Sequence, residues 1–275
     1  MTVVSRAPLA CLLLPLGLLS SGCELMIAGP REQVSDRWER TYDVAATATL
    51  EIQNTNGGIT VRPHANPTIK VTAKRTARAV TQQGARDLLA RLTLEETVST
   101  GLVRLATPRQ TTSMGQQIEV QYDILVPGTL ALKLTTVNGQ VDVEGITGTV
   151  ALETVNGGIE ARGIAKLRKA QTVNGSVKLA LGDLPGQGAH IETVNGGVNV
   201  TLPDSLAADL SVRTVNGGID VDGFAAVGNT EKRRRRYEGR LNGGGPTLRV
   251  ETVNGGVSVT GGRTATATAT GEGGQ

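Results

Sequence analysis

Residues 154–161 read Thr154-Val155-Asn156-Gly157-Gly158-Ile159-Glu160-Ala161, and this phrase returns along the chain. Thr-Val-Asn-Gly occurs six times, with its Asn at Asn138, Asn156, Asn174, Asn195, Asn216 and Asn254. A degenerate seventh copy is Asn54-Thr55-Asn56-Gly57. The steps between the six are 18, 18, 21, 21 and 38 residues. Four and two residues before the motif Thr stand apolar pairs: Leu132/Leu134, Val150/Leu152, Ala189/Ile191, Leu210/Val212 and Leu248/Val250, with Leu50/Ile52 before the degenerate copy. Arg168/Ala170 is the misfit. Five and seven residues after that Thr stand Val141/Val143, Ile159/Ala161, Val177/Leu179, Val198/Val200, Ile219/Val221 and Val257/Val259. Polar residues fill most of the places between. Period-two alternation on both sides of Asn-Gly makes each copy strand, turn, strand.

Asn-Gly between alternating runs is ordinarily a hairpin signal. A period of 18–21 residues favours stacked rungs instead, because only stacking gives every copy the same surroundings. The expected fold is all-β: a repetitive, β-helix-like solenoid of about seven rungs spaced about 4.8 Å apart. The alternative is an antiparallel β-sandwich. The 38-residue step predicts two rungs, or one rung with a long loop. Parity places the motif Thr and Asn inward. Stacked Asn56, Asn138, Asn156, Asn174, Asn195, Asn216 and Asn254 are then expected to bond along the rod as a structural amide ladder. The Gly after each Asn is expected to accept positive φ.

Composition agrees. Only Trp38, Tyr42, Tyr122, Phe224 and Tyr237 are aromatic, while Gly numbers 36 of 275 residues. A core of Val, Ile, Leu, Ala and Thr suits repetitive β layers. Scarce aromatics count against single-stranded nucleic-acid platforms and sugar-stacking clefts. A net charge of +3 gives no reason to invoke nucleic acid. Two His and two Cys leave little for a zinc site, and no cofactor or metal is expected.

Ahead of the array, residues 1–22 read as a lipoprotein signal peptide: Arg6, an apolar run Ala7–Leu19, then Ser20-Ser21-Gly22-Cys23. Ser20 stands where an aliphatic residue is usual. Cys23 is expected to be acylated, giving an exported lipoprotein held at a bacterial membrane by its acyl chains. Residues 23–41 read as a tether and 42–127 as a β-rich part with one short helix. Strands are expected at 45–63 around Asn56-Gly57, at 68–76, 94–107 and 118–126. Leu88, Leu89 and Leu92 place a helix within 79–92, capping the β core. The array is expected over 128–262, followed by a disordered Thr-Ala-Gly-rich tail, 263–275.

Chemistry is sparse. Asp142, Glu144, Glu160, Asp220 and Asp222 fall at outward strand positions, without the spacing of a calcium loop. His64 and His190 have no nucleophile pattern, and Gly-x-Ser-x-Gly is absent from the sequence. Lys232, Arg233, Arg234, Arg235 and Arg236 form a cationic run inside the long step. It is expected to be a protruding loop that attracts anionic envelope polymers or headgroups.

The Thr-Val-Asn-Gly-Gly-(Ile/Val)-x-Val copies are supported by Tyr122-Asp123-Ile124-Leu125-Val126-Pro127-Gly128 before them and by Gly239-Arg240-Leu241-Asn242-Gly243-Gly244-Gly245 before the last. Over about residues 42–261 they resemble a bacterial family of adhesin-like β-strand-repeat proteins of unknown function. The resemblance implies an exported or surface β-solenoid-like domain and supplies no catalytic residues. The leading expectation is a non-enzymatic envelope lipoprotein used for structure, adhesion or binding of another envelope protein. The alternatives are an envelope-stress signalling accessory and a polysaccharide-active β-helix enzyme.

Overall fold

Each motif turn carries the chain from one stack of strands into a second, and the inward side chains of both stacks form one continuous core. The computed structural model describes residues 31–262, apart from 109–112, 114, 225 and the side chains of 226–233. The chain begins with β1 (Glu32–Asp43), β2 (Thr49–Gln53), β3 (Ile59–His64), β4 (Thr68–Ala79), α1 (Gln82–Ala90), β5 (Glu95–Ser99), β6 (Leu102–Ala106) and β7 (Gln117–Pro127). The array contributes β8 (Ala131–Thr135), β9 (Val141–Glu144), β10 (Thr149–Glu153), β11 (Ile159–Asn174), β12 (Val177–Asp183), β13 (Ala189–Asn195), β14 (Val198–Leu202), β15 (Ala208–Asn216) and β16 (Ile219–Asp222). It ends with β17 (Ala226–Arg233), β18 (Arg236–Leu241), β19 (Thr247–Asn254) and β20 (Val257–Gly261).

In the first stack the parallel order is β6, β2, β8, β10, the second half of β11, β13, β19, β15. In the second it is β7, β3, β9, the first half of β11, β12, β14, β20, β16. These are solenoid rungs. In the sandwich alternative the two strands flanking each Asn-Gly turn would pair with each other, whereas here each pairs with its counterpart on the next rung. Leu50, Leu132, Val150, Leu167, Ala189, Leu248 and Leu210 make one inward column, all buried. The Arg168 misfit is a β-bulge: Val150 faces Leu167 and Ala151 faces Lys169, so Arg168 is the extra residue and Leu167 fills the column.

The two ends are closed differently. At the N-terminal end β1, β4 and β7 pair antiparallel and extend the second stack, while the β5–β6 hairpin extends the first. The tether expected at 23–41 is therefore corrected from residue 32 onward. β1 pairs with β4 from Glu32↔Ala79 to Asp43↔Thr68. Its core-facing parity is Val34, Asp36, Trp38, Arg40 and Tyr42, and the two charges mask the alternation. Asp36 accepts from Arg75 Nε at 2.8 Å. The Arg40 guanidinium lies 4.9 Å from the Trp38 ring centroid. Residues 94–107, expected as one strand, fold as β5 and β6 about Thr100-Gly101. Helix α1 starts at Thr81, whose hydroxyl accepts from the Gly84 amide at 3.1 Å, a standard N-cap. It buries Ala85, Leu88 and Leu89 and packs on β4 and β1.

The 38-residue step holds two rung strands, β16 and β19, and between them a hairpin, β17–β18, whose second strand pairs antiparallel with β15. The expected protruding loop at 232–236 is thus corrected: the cations end one strand, make a turn at 234 and 235, and open the next. The reason is edge closure. β18 covers the outer side of β15, with Tyr237 and Leu241 buried. The signal peptide, Cys23 and the tail 263–275 lie outside the described residues.

Candidate interaction surface

The motif turns line up along one edge of the rod, and each residue of the motif has its own task. Thr136, Thr154, Thr172, Thr193, Thr252 and Thr214 are buried. Each donates its hydroxyl hydrogen to a glycine carbonyl of the adjoining rung, as Thr154 does to Gly139 at 2.9 Å and Thr172 to Gly157 at 2.8 Å. In the degenerate copy Asn54 takes this place, and its amide reaches Val120 O at 2.7 Å and Gly57 O at 3.0 Å. Neither these hydroxyl bonds nor the part played by Asn54 is among the expectations from sequence. The invariance of Thr across six copies was the available signal.

The Asn side chains point outward, which corrects the inward parity. Asn138, Asn156, Asn174, Asn195, Asn216 and Asn254 are exposed and Asn56 is half-buried. They nevertheless bond in series. Asn138 donates to Asn56, Asn156 to Asn138, Asn174 to Asn156, Asn195 to Asn174, Asn254 to Asn195 and Asn216 to Asn254, all within 2.7–2.9 Å. Asn56 closes the series on Ile118 O at 3.1 Å. The residue after each Asn is glycine for a different reason from the one expected. Only Gly57 among these turn glycines has positive φ. A Cβ on Gly157 would lie 2.0 Å from Gly139 O. The rungs come too close at the turn for any side chain.

Beside the amides runs an apolar row. Val155 is 38% exposed, Val173 36%, Val253 38% and Val215 53%, where inward valines are buried. Val137 and Val194 are half-buried in the same row.

The flat outer faces carry ion pairs between rungs and, in places, facing carboxylates. Lys133 Nζ lies 2.9 Å from Glu51 and Lys169 Nζ 3.0 Å from Glu153. The Lys133 hydrogen bond holds Glu51 below the usual carboxylate range. Arg62 bridges Asp123 at 3.7 Å and Glu144 at 3.6 Å, and Arg162 joins Glu144 to Glu160. Asp142 faces Glu160 across β9 and β11. Burial, then Glu160 and Glu144, push it above the ordinary aspartate range. Asp220 and Asp222 are exposed on β16. His64 Nε2 lies 2.6 Å from Thr68 O, and His190 lies 3.3 Å from Glu192. No group of three or more His, Cys, Asp or Glu among the described residues is placed to hold a metal ion.

A cleft of about 650 Å³ opens at the N-terminal end of the turn edge, lined by Thr55, Asn56, Arg78, Gln116, Glu119 and Asn138. Its charges are a single ion pair, Arg78 to Glu119 at 3.0 Å. Tyr42 donates to Glu96 at 2.6 Å and ties the two stacks together at this end, and its burial raises its pKa well above the tyrosine range. Tyr122 is pushed up to about 12 by burial, its hydroxyl 2.9 Å from Thr107 Oγ1. Of the cationic run, Arg234 and Arg235 are exposed at the hairpin turn, and Arg236 lies against Glu238, holding that carboxylate below its usual range. The Lys232 and Arg233 side chains lie outside the described residues.

Residues 127–260 match the family model described as Toastrack DUF4097. This part of the chain is similar to a Toastrack DUF4097 domain. The Toastrack match begins at Pro127, so the cap built by β1, β4, α1, β5 and β6 precedes it. Solved structures similar to this chain include a candidate cell-adhesion protein from Clostridium sporogenes ATCC 15579. It is 12% identical with a TM-score of 0.46, over 84% of this chain and 100% of that one. A candidate adhesin from Bacteroides fragilis NCTC 9343 is 12% identical with a TM-score of 0.42, over 82% and 97%. A candidate lipid-binding protein from Parabacteroides distasonis ATCC 8503 is 10% identical with a TM-score of 0.28, over 83% and 97%. No curated protein matches the chain. Among the described residues no helix is long and apolar enough to cross a membrane.

Proposed function

We propose that this chain is a non-enzymatic cell-envelope lipoprotein, anchored through acylated Cys23, whose Toastrack rod binds another envelope component along its turn edge. The observation that carries this reading is the row Val155, Val173, Val253 and Val215, exposed on four rungs beside a line of hydrogen-bonded amides, with half-buried Val194 on the rung between Val173 and Val253. Apolar side chains left partly exposed and held in register by the backbone form a preorganised contact strip. The outer faces differ, carrying salt bridges between rungs such as Lys133 to Glu51 and Lys169 to Glu153.

The anchor is tested by Cys23→Ser. The variant is expected to leave the membrane fraction or to remain unprocessed. A variant that pellets and is trimmed like the wild type refutes the anchor. The strip is tested by cosedimentation of the purified protein with isolated envelope fragments. Val155→Ser, Val173→Ser and Val253→Ser together are expected to lower retention while the thermal midpoint holds. Unchanged retention refutes the strip.

A second reading rests on Arg234 and Arg235, both exposed at a hairpin tip. They are suited to anionic envelope polymers, at about 1 kcal/mol per charge near such a surface. Binding that disappears in Arg234→Ser/Arg235→Ser, and falls with added salt, supports it.

A further inference from the structure

The rungs follow chain order until the last one. β19 lies between β13 and β15, and β20 between β14 and β16, parallel and in register on both sides. Asn254 therefore donates to Asn195, 59 positions away, and receives from Asn216. The chain sets β15–β16 two rungs beyond β13–β14 and fills the gap with residues it reaches later. The slot is shaped for this filling. Leu248, Val250, Thr252, Val257 and Val259 are all buried in it. A Cβ on Gly255 would lie 2.0 Å from Gly196 O, and one on Gly217 would lie 1.9 Å from Gly255 O. A strand–turn–strand with glycine at that place fits; an arbitrary strand pair does not.

The filling rung hangs from β18 by Asn242-Gly243-Gly244-Gly245-Pro246. Asn242, Gly243 and Gly244 have φ of 48°, 96° and 87°, and Asn242 is the one non-glycine residue with positive φ among the described residues. Its amide clamps the turn shut by donating to Asp204 O at 2.7 Å and Leu206 O at 2.9 Å. Such a stretch is a hinge: a strained, glycine-rich connection held by a few side-chain bonds.

We propose that the slot also accepts the corresponding rung of a second copy, so that two molecules exchange Thr247–Gly261 and form a strand-swapped dimer. The partner is identical chain because it supplies the same five buried side chains, the same glycine and the same Asn to the ladder. Every backbone bond of β19 and β20 is then remade between molecules, and only the hinge changes conformation.

The test places a cysteine pair on facing residues of β13 and β19, His190→Cys with Arg249→Cys, in the full chain carrying Cys11→Ser and Cys23→Ser. The control pair is Lys169→Cys with His190→Cys, on β11 and β13. Each protein is refolded at rising concentration, oxidised and run on a non-reducing gel. The terminal pair is expected to give covalent dimers that increase with refolding concentration, while the control pair closes within one chain. Asn242→Ala, which removes the clamp, is expected to raise the dimer fraction about fivefold. The proposal fails if the terminal pair closes only within one chain at every concentration, including in dimers seen by size. A second measurement needs no cysteine. Two wild-type chains with different affinity tags are expected to co-purify when refolded together and not when mixed after folding. Co-purification in both cases signifies surface association and overturns the exchange.

Discussion

Gly157 shows how narrow the allowance is at a single residue. Its Cα faces the Gly139 carbonyl so closely that a methyl group would stand 2.0 Å from the oxygen. That oxygen is also the acceptor for the Thr154 hydroxyl, so it has little freedom to retreat. Gly157→Ala is expected to destabilise by about 3 kcal/mol, the upper range for forcing an extra methyl into packed structure. Gly218 has open space where its Cβ would go and no positive φ. Gly218→Ala is expected to be neutral or slightly stabilising, within about 0.5 kcal/mol. Urea unfolding of the two variants checks both. Sequence showed that glycine recurs there, while the carbonyl that demands it belongs to another rung. The outward Asn direction is hidden in the sequence for a related reason. The turn breaks the two-residue alternation, so counting from the strand does not give the direction of a turn side chain.

Strands and their edges carry the next level of consequence. β9 and β11 set Asp142 opposite Glu160, with Glu144 two residues on and Arg62 and Arg162 as the nearby cations. Burial and the two carboxylates raise the folded-state pKa of Asp142, so the folded protein holds that proton more tightly than the unfolded chain. Its contribution to stability therefore falls as pH rises from the ordinary aspartate range through the raised value. Asp142→Asn is expected to be more stable than wild type at neutral pH by about 0.5 kcal/mol. The difference should close at pH below the ordinary aspartate range, measured against wild type at each pH. The β17–β18 hairpin gives a second expectation. Tyr237→Ala, which empties a buried place beneath β18, is expected to cost about 3 kcal/mol. Arg234→Ser/Arg235→Ser should leave the unfolding midpoint within about 0.5 kcal/mol of wild type. Five like charges in a row mask the strand ends in the sequence. The buried Tyr237 that follows them was the counter-signal.

For the molecule as a whole, the decisive expectation concerns rung order. Asn195 and Asn254 are neighbours in the ladder, whereas Asn195 and Asn216, consecutive in sequence, stand two rungs apart. Asp at both Asn195 and Asn254 places like charges about 4.8 Å apart, against about 9.6 Å for the Asn195 and Asn216 pair. The first double variant is expected to lose about 1–3 kcal/mol beyond the sum of its singles, lessened by solvent exposure, and the second well under half of that. Each excess should shrink at acid pH, as the mutual repulsion raises the carboxyl pKa values in the folded state. Equal couplings in the two pairs would contradict the intercalated order. The repeat phrase made the stack of rungs, the inward columns and the contact between successive Asn residues legible. Their spatial order was not, since the columns of β15–β16 and β19–β20 are interchangeable in composition. What decides between them is the edge that β18 closes on β15, a pairing of the two chain segments with no repeat signature. The intercalated rung also bears on how the protein is made. A solenoid stacked in chain order is finished, rung by rung, as it emerges, and a copy that stops early is merely shorter. Here the residues that come late occupy an interior place, so a copy cut before Thr247 lacks the strand that both β13 and β15 pair with. Completion of the polypeptide and closure of its core become the same event.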